Sequence, residues 1–268
     1  MDFRARIRRG LGIATGRSLA ISAGFTIRES DVFLVSYPKS GNTWARFLLA
    51  NALCADGVDF VNIDKIIPDI YKVNLSFIEG ISQRRIIKSH SPFNPAYPKV
   101  IYIVRNPLDV AVSYYFFNIK MGYVSSSITM DEYIDRFIFD SGEFGTWEQN
   151  VKSWICAMSG KDSFMLVKYE DMLTDTLPTL ERILDFADLK PCRDVNDIIL
   201  SSSFENMKSL EKKQHFQWRS TKFSNPKIPF VRKGKNGSWR EELSSDSIEK
   251  IVTSWADLMD RLGYRINF

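Results

Sequence analysis

Residues 36–44 read Ser-Tyr-Pro-Lys-Ser-Gly-Asn-Thr-Trp, and most of them can hold an anion or a base. Lys39 brings a point charge. Ser40, Asn42 and Thr43 bring side-chain hydrogen-bonding groups. Gly41 lets an oxyanion approach the backbone closely. Trp44 offers a flat face for a stacked ring. A strand-like run, DVFLVS, leads in, and an apolar helix-forming run, ARFLLANALC, follows. Backbone N–H groups at a strand-to-helix turn point outward, and the helix dipole favours negative charge there. The stretch therefore reads as a phosphate cradle beside a purine platform; the plain alternative is an ordinary turn. It is not the nucleoside triphosphate pattern, whose lysine follows the second glycine. Lys39 precedes the only glycine of the stretch, and no acid suited to a magnesium ion accompanies it. With only His90 and His215 in the chain, a histidine-rich metal site is not expected.

Three more polar clusters sit where strands should end: Lys88-Ser89-His90, Val104-Arg105-Asn106-Pro107 and Lys168-Tyr169-Glu170-Asp171. His90 suits a general base, or a structural histidine. Arg105 lies four residues before Asp109, so it binds an anion or pairs with that acid. Tyr169 and Phe204 are pocket walls or plain core. Arg232 and Lys233 hold an anion or form a solvated basic loop. Glu170 and Asp171 read as helix-start residues rather than an acid/base dyad.

Positioning these clusters requires strands alternating with helices. Short apolar or β-branched runs predict strands at 31–36, 84–88, 99–104 and 163–168. Helices are predicted at 43–55, 107–121, 129–139, 147–159, 176–187, 194–213 and 246–262. Pro107 stands at a first helical position. The last helix carries Ile248, Ile251, Val252, Trp255, Leu258, Met259 and Leu262 on one face, and Gly263 stops it. Such alternation predicts a single α/β domain, with a central, mostly parallel sheet flanked by helices. Ligands of such sheets bind beyond the carboxyl ends of the strands. Residues 214–239 contain no periodic run; a loop this long, rich in Lys, Arg and aromatics, predicts a cover over an anionic ligand.

The 268 residues, 44% of them hydrophobic, suffice for one core. A net charge of +4 argues against a nucleic-acid partner and leaves room for a local basic pocket. Three widely spaced cysteines, Cys54, Cys156 and Cys192, give no disulfide framework, so a reducing cytoplasm is expected. Residues 1–24 carry Arg4, Arg6, Arg8, Arg9 and Arg17 against the single acid Asp2. They read as a loosely ordered arm, or as a weak interfacial contact with a membrane surface through Phe3, Ile7, Leu11 and Ala14.

Taken in order, these motifs resemble the sulfotransferases that use 3′-phosphoadenosine 5′-phosphosulfate. YPKSGNTW resembles the family's YPKSGTTW loop, with Asn42 replacing a threonine. KSHSP at 88–92 resembles its KTHLP segment. VRNPLDVAVSYYFF (104–117), YEDM (169–172), SSFENM (202–207) and VRKGKNGSW (231–239) resemble its nucleotide-binding segments. The resemblance spans roughly residues 31–240 and implies a role for each residue. Lys39 would meet the bridging oxygen between phosphate and sulfate. Ser40, Gly41, Asn42 and Thr43 would cradle the 5′-phosphate. Arg105, Ser113 and Arg232, helped by Lys233 and Gly234, would bind the 3′-phosphate. Trp44, Tyr169, Ser202 and Phe204 would surround adenine. His90 would be the base, Ser113 would restrain Lys39, and Phe117 would line the acceptor pocket.

The implied reaction moves a sulfuryl group to a hydroxyl, less often an amine, of a small molecule or glycan, with no metal. A nucleotide kinase and a non-catalytic bisphosphate binder are the rival readings. The C-terminal helix shows no KTVE-like dimer motif, leaving monomer and homodimer open.

Overall fold

A computed structural model describes residues 25–266; the basic segment 1–24 lies outside the described residues. Four strands, β1 (Val32–Ser36), β2 (Ile86–Ser89), β3 (Lys99–Val104) and β4 (Phe164–Lys168), form one sheet in the order β2-β1-β3-β4. Every pairing is parallel; Phe33 stands against Ile87 on one side and Val100 on the other. A parallel sheet buries both faces, which explains why the strands read as continuous apolar runs.

Alternate strand residues serve different layers. Phe33, Val35 and Tyr102 pack with α4 (Pro107–Lys120), α5 (Met130–Phe139), α6 (Trp147–Met158) and α11 (Ser245–Arg261). Leu34, Ile101 and Ile103 pack with α1 (Asn42–Leu53), α2 (Ile63–Ile66), α8 (Thr176–Phe186) and α9 (Val195–Ser201). The remaining helices are α3 (Leu75–Gly80), α7 (Tyr169–Thr174) and α10 (Phe204–Gln214).

The predicted run 194–213 is two helices, because the Ser203 side chain accepts from Asn206 N–H and starts α10 afresh. Glu170 and Asp171 lie in the first turn of α7 without capping it. Glu170 instead accepts from Asn106 N–H and the Tyr264 hydroxyl, tying β4 to β3 and the C-terminal segment. Residues 214–239 contain turns, and a short 3₁₀ turn spans Ser238–Glu241. This segment is held from several sides. Lys120 Nζ donates to the carbonyls of Asn225 and Ile228, and Glu211 accepts from the amides of Phe230 and Val231.

At the amino ends of β1 and β2, Arg85 and Asp31 form a fully buried ion pair, with Nε–Oδ1 at 2.7 Å. Arg85 also donates to the carbonyls of Ile78 and Thr26. Asp31→Ala would remove the buried carboxylate and leave the guanidinium with two carbonyls and the distant Glu79, 3.8 Å away at the surface. Its unfolding midpoint in urea should fall by an amount equivalent to about 3–5 kcal/mol, with little change in slope.

Candidate functional site

The four polar clusters meet at the carboxyl ends of the strands and line one cavity of about 1250 Å³. Its floor is the turn 37–43. Lys39 stands there at φ 67°, a left-handed backbone disfavoured for side-chain-bearing residues. Gly41 follows at φ 99° and is the N-cap of α1, with no side-chain cap. A Cβ on Gly41 would lie 2.3 Å from Tyr169 Cδ2, so only glycine lets the turn and the α7 ring approach this closely.

Lys39 Nζ lies 4.5 Å from the Phe117 ring centre and 4.1 Å from that of Phe230. Burial, reinforced by the charge of Arg105, lowers its pKa to about 7. Arg105 is buried over the Tyr169 ring at 4.2 Å and donates to the carbonyls of Lys39 and Lys235. The buried atoms at this end without a hydrogen-bond partner in the protein include the acceptor Asn42 Oδ1 and two donors, Ser40 Oγ and Arg105 Nε. Unpaired buried donors are costly, so these two donors fit a site whose ligand supplies oxygens.

His90 lies at the end of β2. Its Nδ1 is 2.7 Å from the Ser36 carbonyl, which can only accept. Nδ1 therefore carries the proton and Nε2 is left as the acceptor in the neutral ring. Burial, followed by the charge of Lys88, holds the imidazole well below its ordinary pKa; Asp69 and the Ser36 carbonyl oppose this. Asn150 bonds the His90 carbonyl, the Tyr71 hydroxyl accepts its backbone N–H, and the Tyr71 and Phe144 rings flank it.

Most residues expected from the sequence line this cavity: Lys39, Gly41, Asn42, Thr43, Trp44, His90, Arg105, Ser113, Tyr169, Phe204, Arg232, Lys233 and Gly234. Some differ in detail from expectation. The Asn42 amide nitrogen turns inward to Leu34 O and Ser36 Oγ, so its side-chain donor serves β1. Ser202 stands behind the wall, where its carbonyl accepts from Trp44 Nε1 and its hydroxyl accepts from Asn51. Trp44 meets Tyr169 edge-on at 5.8 Å. Arg232 pairs with Glu242, while Lys233 pairs with both Glu241 and Glu242. Asp109 is not spent on Arg105; it accepts from Gly237 N, Ser238 Oγ and Trp239 N, fastening the basic loop to α4. Gly234, at φ 60°, sits so close to Phe204 that a Cβ would lie 2.4 Å from the ring.

Asp69 and Tyr71, which no motif singled out, line the same cavity, and so does Lys88. Lys88 was legible as part of KSH, but its buried partner lies 19 positions earlier. No group of three or more His, Cys, Asp or Glu able to hold a metal occurs among the described residues. No helix among them is long and apolar enough to cross a membrane.

The phosphate-type turn, the strand-end histidine and the basic loop meet over the carboxyl ends of a parallel sheet, an arrangement suited to anion binding in an α/β enzyme. Residues 29–263 match the sulfotransferase domain family, and the chain belongs to it. Human Sulfotransferase 2A1 is 31% identical over 237 residues, covering 82% of this chain and 81% of its own. The 3-alpha-hydroxysteroid sulfotransferase of Cavia porcellus is 28% identical, covering 85% and 84%. The crystal structure of mouse sulfotransferase SULT7A1 complexed with PAP superposes with a TM-score of 0.72 at 26% identity, covering 92% of this chain and 90% of that one.

An oxyanion beside Lys39 favours the ammonium, so anion binding should take up a proton above pH 7. Titration calorimetry with inorganic sulfate, which has no titrating proton near neutrality, checks this in buffers of different ionisation heat. Proton uptake should be clear at pH 8 and small at pH 6. It should be largely lost in Lys39→Met.

Proposed function

We propose that the chain transfers a sulfuryl group from 3′-phosphoadenosine 5′-phosphosulfate to the hydroxyl of a small molecule. The observation that carries this reading is that a buried, anion-seeking turn and a histidine with a free acceptor nitrogen open into one cavity. The donor supplies an activated sulfuryl group on a good leaving group. Ser40, the first-turn amides of α1 and Thr43 hold the 5′-phosphate, consistent with the unpartnered Ser40 hydroxyl. Arg105 binds the 3′-phosphate through its unpaired Nε. Arg232 and Lys233 join it by exchanging Glu241 and Glu242 for phosphate oxygens, while Ser113 lies within reach on α4. The Trp44, Tyr169 and Phe204 rings enclose the base. Residues 214–239 cover the nucleotide.

At the reacting end, His90 Nε2 takes the acceptor's proton as its oxygen bonds to sulfur. The bond from sulfur to the bridging oxygen breaks in line. Lys39 meets the negative charge that grows on the departing phosphate, a contact stronger in the transition state than before it. Tyr37, Tyr114, Phe117, Tyr133 and Phe137 build an aromatic acceptor chamber. The buried Tyr123 hydroxyl, which has no hydrogen-bond partner in the protein, offers one polar anchor there. The three cysteines are unpaired, which supports a reducing compartment such as the cytoplasm.

Turnover of the labelled donor over a panel of acceptors tests the reaction. His90→Asn should bind the 3′,5′-bisphosphate nearly as the wild type does, yet lose about 10²–10⁴-fold in turnover on aliphatic alcohols. Acidic phenols should suffer less. Full activity on the alcohols would mean that another group takes the proton. Because the imidazole pKa is depressed, wild-type activity should persist as pH falls below 6.5 and fail only when His90 is protonated.

Arg232→Ala should reduce the preference for the 3′,5′-bisphosphate over adenosine 5′-phosphate. Competition binding with the two nucleotides reads this directly; an unchanged ratio would remove Arg232 from the 3′-phosphate site.

A further inference from the structure

Lys88 and His90 are two residues apart at the end of β2 and line the same cavity. One short segment grips both. Lys88 N–H donates to the Pro68 carbonyl, Ile70 N–H to the Lys88 carbonyl, and Asp69 bridges Lys88 in parallel. Asp69 is fully buried. Its Oδ2 lies 2.9 Å from Lys88 Nζ and 3.2 Å from Lys72 Nζ, and its Oδ1 accepts the Tyr71 amide at 3.1 Å. Tyr71 carries the Lys88 ammonium over its ring at 5.1 Å. Its hydroxyl accepts the His90 backbone N–H at 3.0 Å and meets the hydroxyls of Ser89 and Ser91.

We propose that Asp69 is a positioning residue for sulfuryl transfer, pinning the Lys88 side chain beside His90 so that its ammonium faces the transferring group. This rests on the function proposed above. A buried lysine beside other cations tends to lose its proton. Burial lowers the Lys88 pKa, Lys72 from the same segment and Arg46 from α1 add to the fall, and the net result with Asp69 in place is about 8. Asp69 opposes them most directly. Glu143, which shares the cavity, also feels the Lys88 charge. The same carboxylate draws the His90 pKa upward against burial. Asp69 thus keeps the cation charged while helping to hold the two groups in register.

The sign of the effect follows. Without the Asp69 charge, Lys88 loses its proton at lower pH, so a rate that requires the ammonium declines earlier as pH rises. A role confined to packing would lower stability without moving that limb.

The test uses the full chain with Asp69→Asn. Lys88 is titrated by the pH dependence of its acylation, read by peptide mass spectrometry without turnover. In parallel, kcat is followed against pH with the sulfate donor and a phenol acceptor, and bisphosphate affinity is measured. We expect the Lys88 titration and the alkaline limb of kcat to fall together by about one pH unit. Bisphosphate affinity should change less than about twofold, because the hydrogen bonds and ion pairs of Asp69 are made with Lys88, Lys72 and Tyr71 rather than with the phosphate turn. An unmoved Lys88 titration, or one that moves while the kcat limb stays, overturns the role of Asp69. Should Asp69→Asn not fold, Asp69→Glu carries the test. It keeps the charge but displaces it, so its limb should remain while its plateau drops; a wild-type plateau overturns positioning. Absence of turnover by the wild type with every acceptor would overturn the proposed reaction instead, while the Lys88 titration would still report the coupling.

Discussion

The site is organised around a cation held out of water. Lys39 lies between two aromatic rings, with Arg105 close enough to oppose its charge. Such a group is poorly solvated and gains from any anion that reaches it. Lys39 lines the cavity from a left-handed backbone position, two residues before Gly41, which is also left-handed. The surrounding donors share this condition, since Ser40 Oγ and Arg105 Nε are buried without partners. The sheet makes the arrangement affordable: its parallel strands and two apolar layers hold the turn rigidly from below.

Above the turn, the cover is tied down by charges that the anion chemistry leaves free. Asp109 takes the amides of Gly237 and Trp239, Glu211 takes those of Phe230 and Val231, and Lys120 takes two carbonyls from 225–228. Arg232 and Lys233 of the same stretch are held by Glu241 and Glu242. These bonds divide the loop into anchored points and exchangeable ones. The anchored points are backbone groups on buried charged side chains, two acids and a lysine. The exchangeable ones are side-chain pairs nearer to water, worth little individually.

Much of this was legible in the sequence because its signals were local. The turn 36–44 announced itself by residue type, the four strands by apolar runs, and His90 by its place after one of them. What was hidden was set by contacts distant in sequence. Asp69 reaches Lys88 across 19 residues, and Asp109 reaches Ser238 across 129. No periodicity marks helices of four or six residues such as α2 and α3. Asn42 looked like a ligand donor, yet a neighbouring strand claimed its amide first. The break between α9 and α10 was written in Ser201-Ser202-Ser203, but the apolar pattern running through it masked the cap.

The contacts of Gly41 with Tyr169 and of Gly234 with Phe204 also govern how this protein can change over generations. At each, a missing side chain on one segment is the space occupied by a ring on another. Both glycines also stand at positive φ, 99° and 60°, where a side chain is strained whatever the space around it. Shrinking the ring would relieve the collision but not the backbone. Each glycine is therefore barred twice over from drifting to a larger residue, and change in this part of the pocket wall falls on the aromatic partner alone.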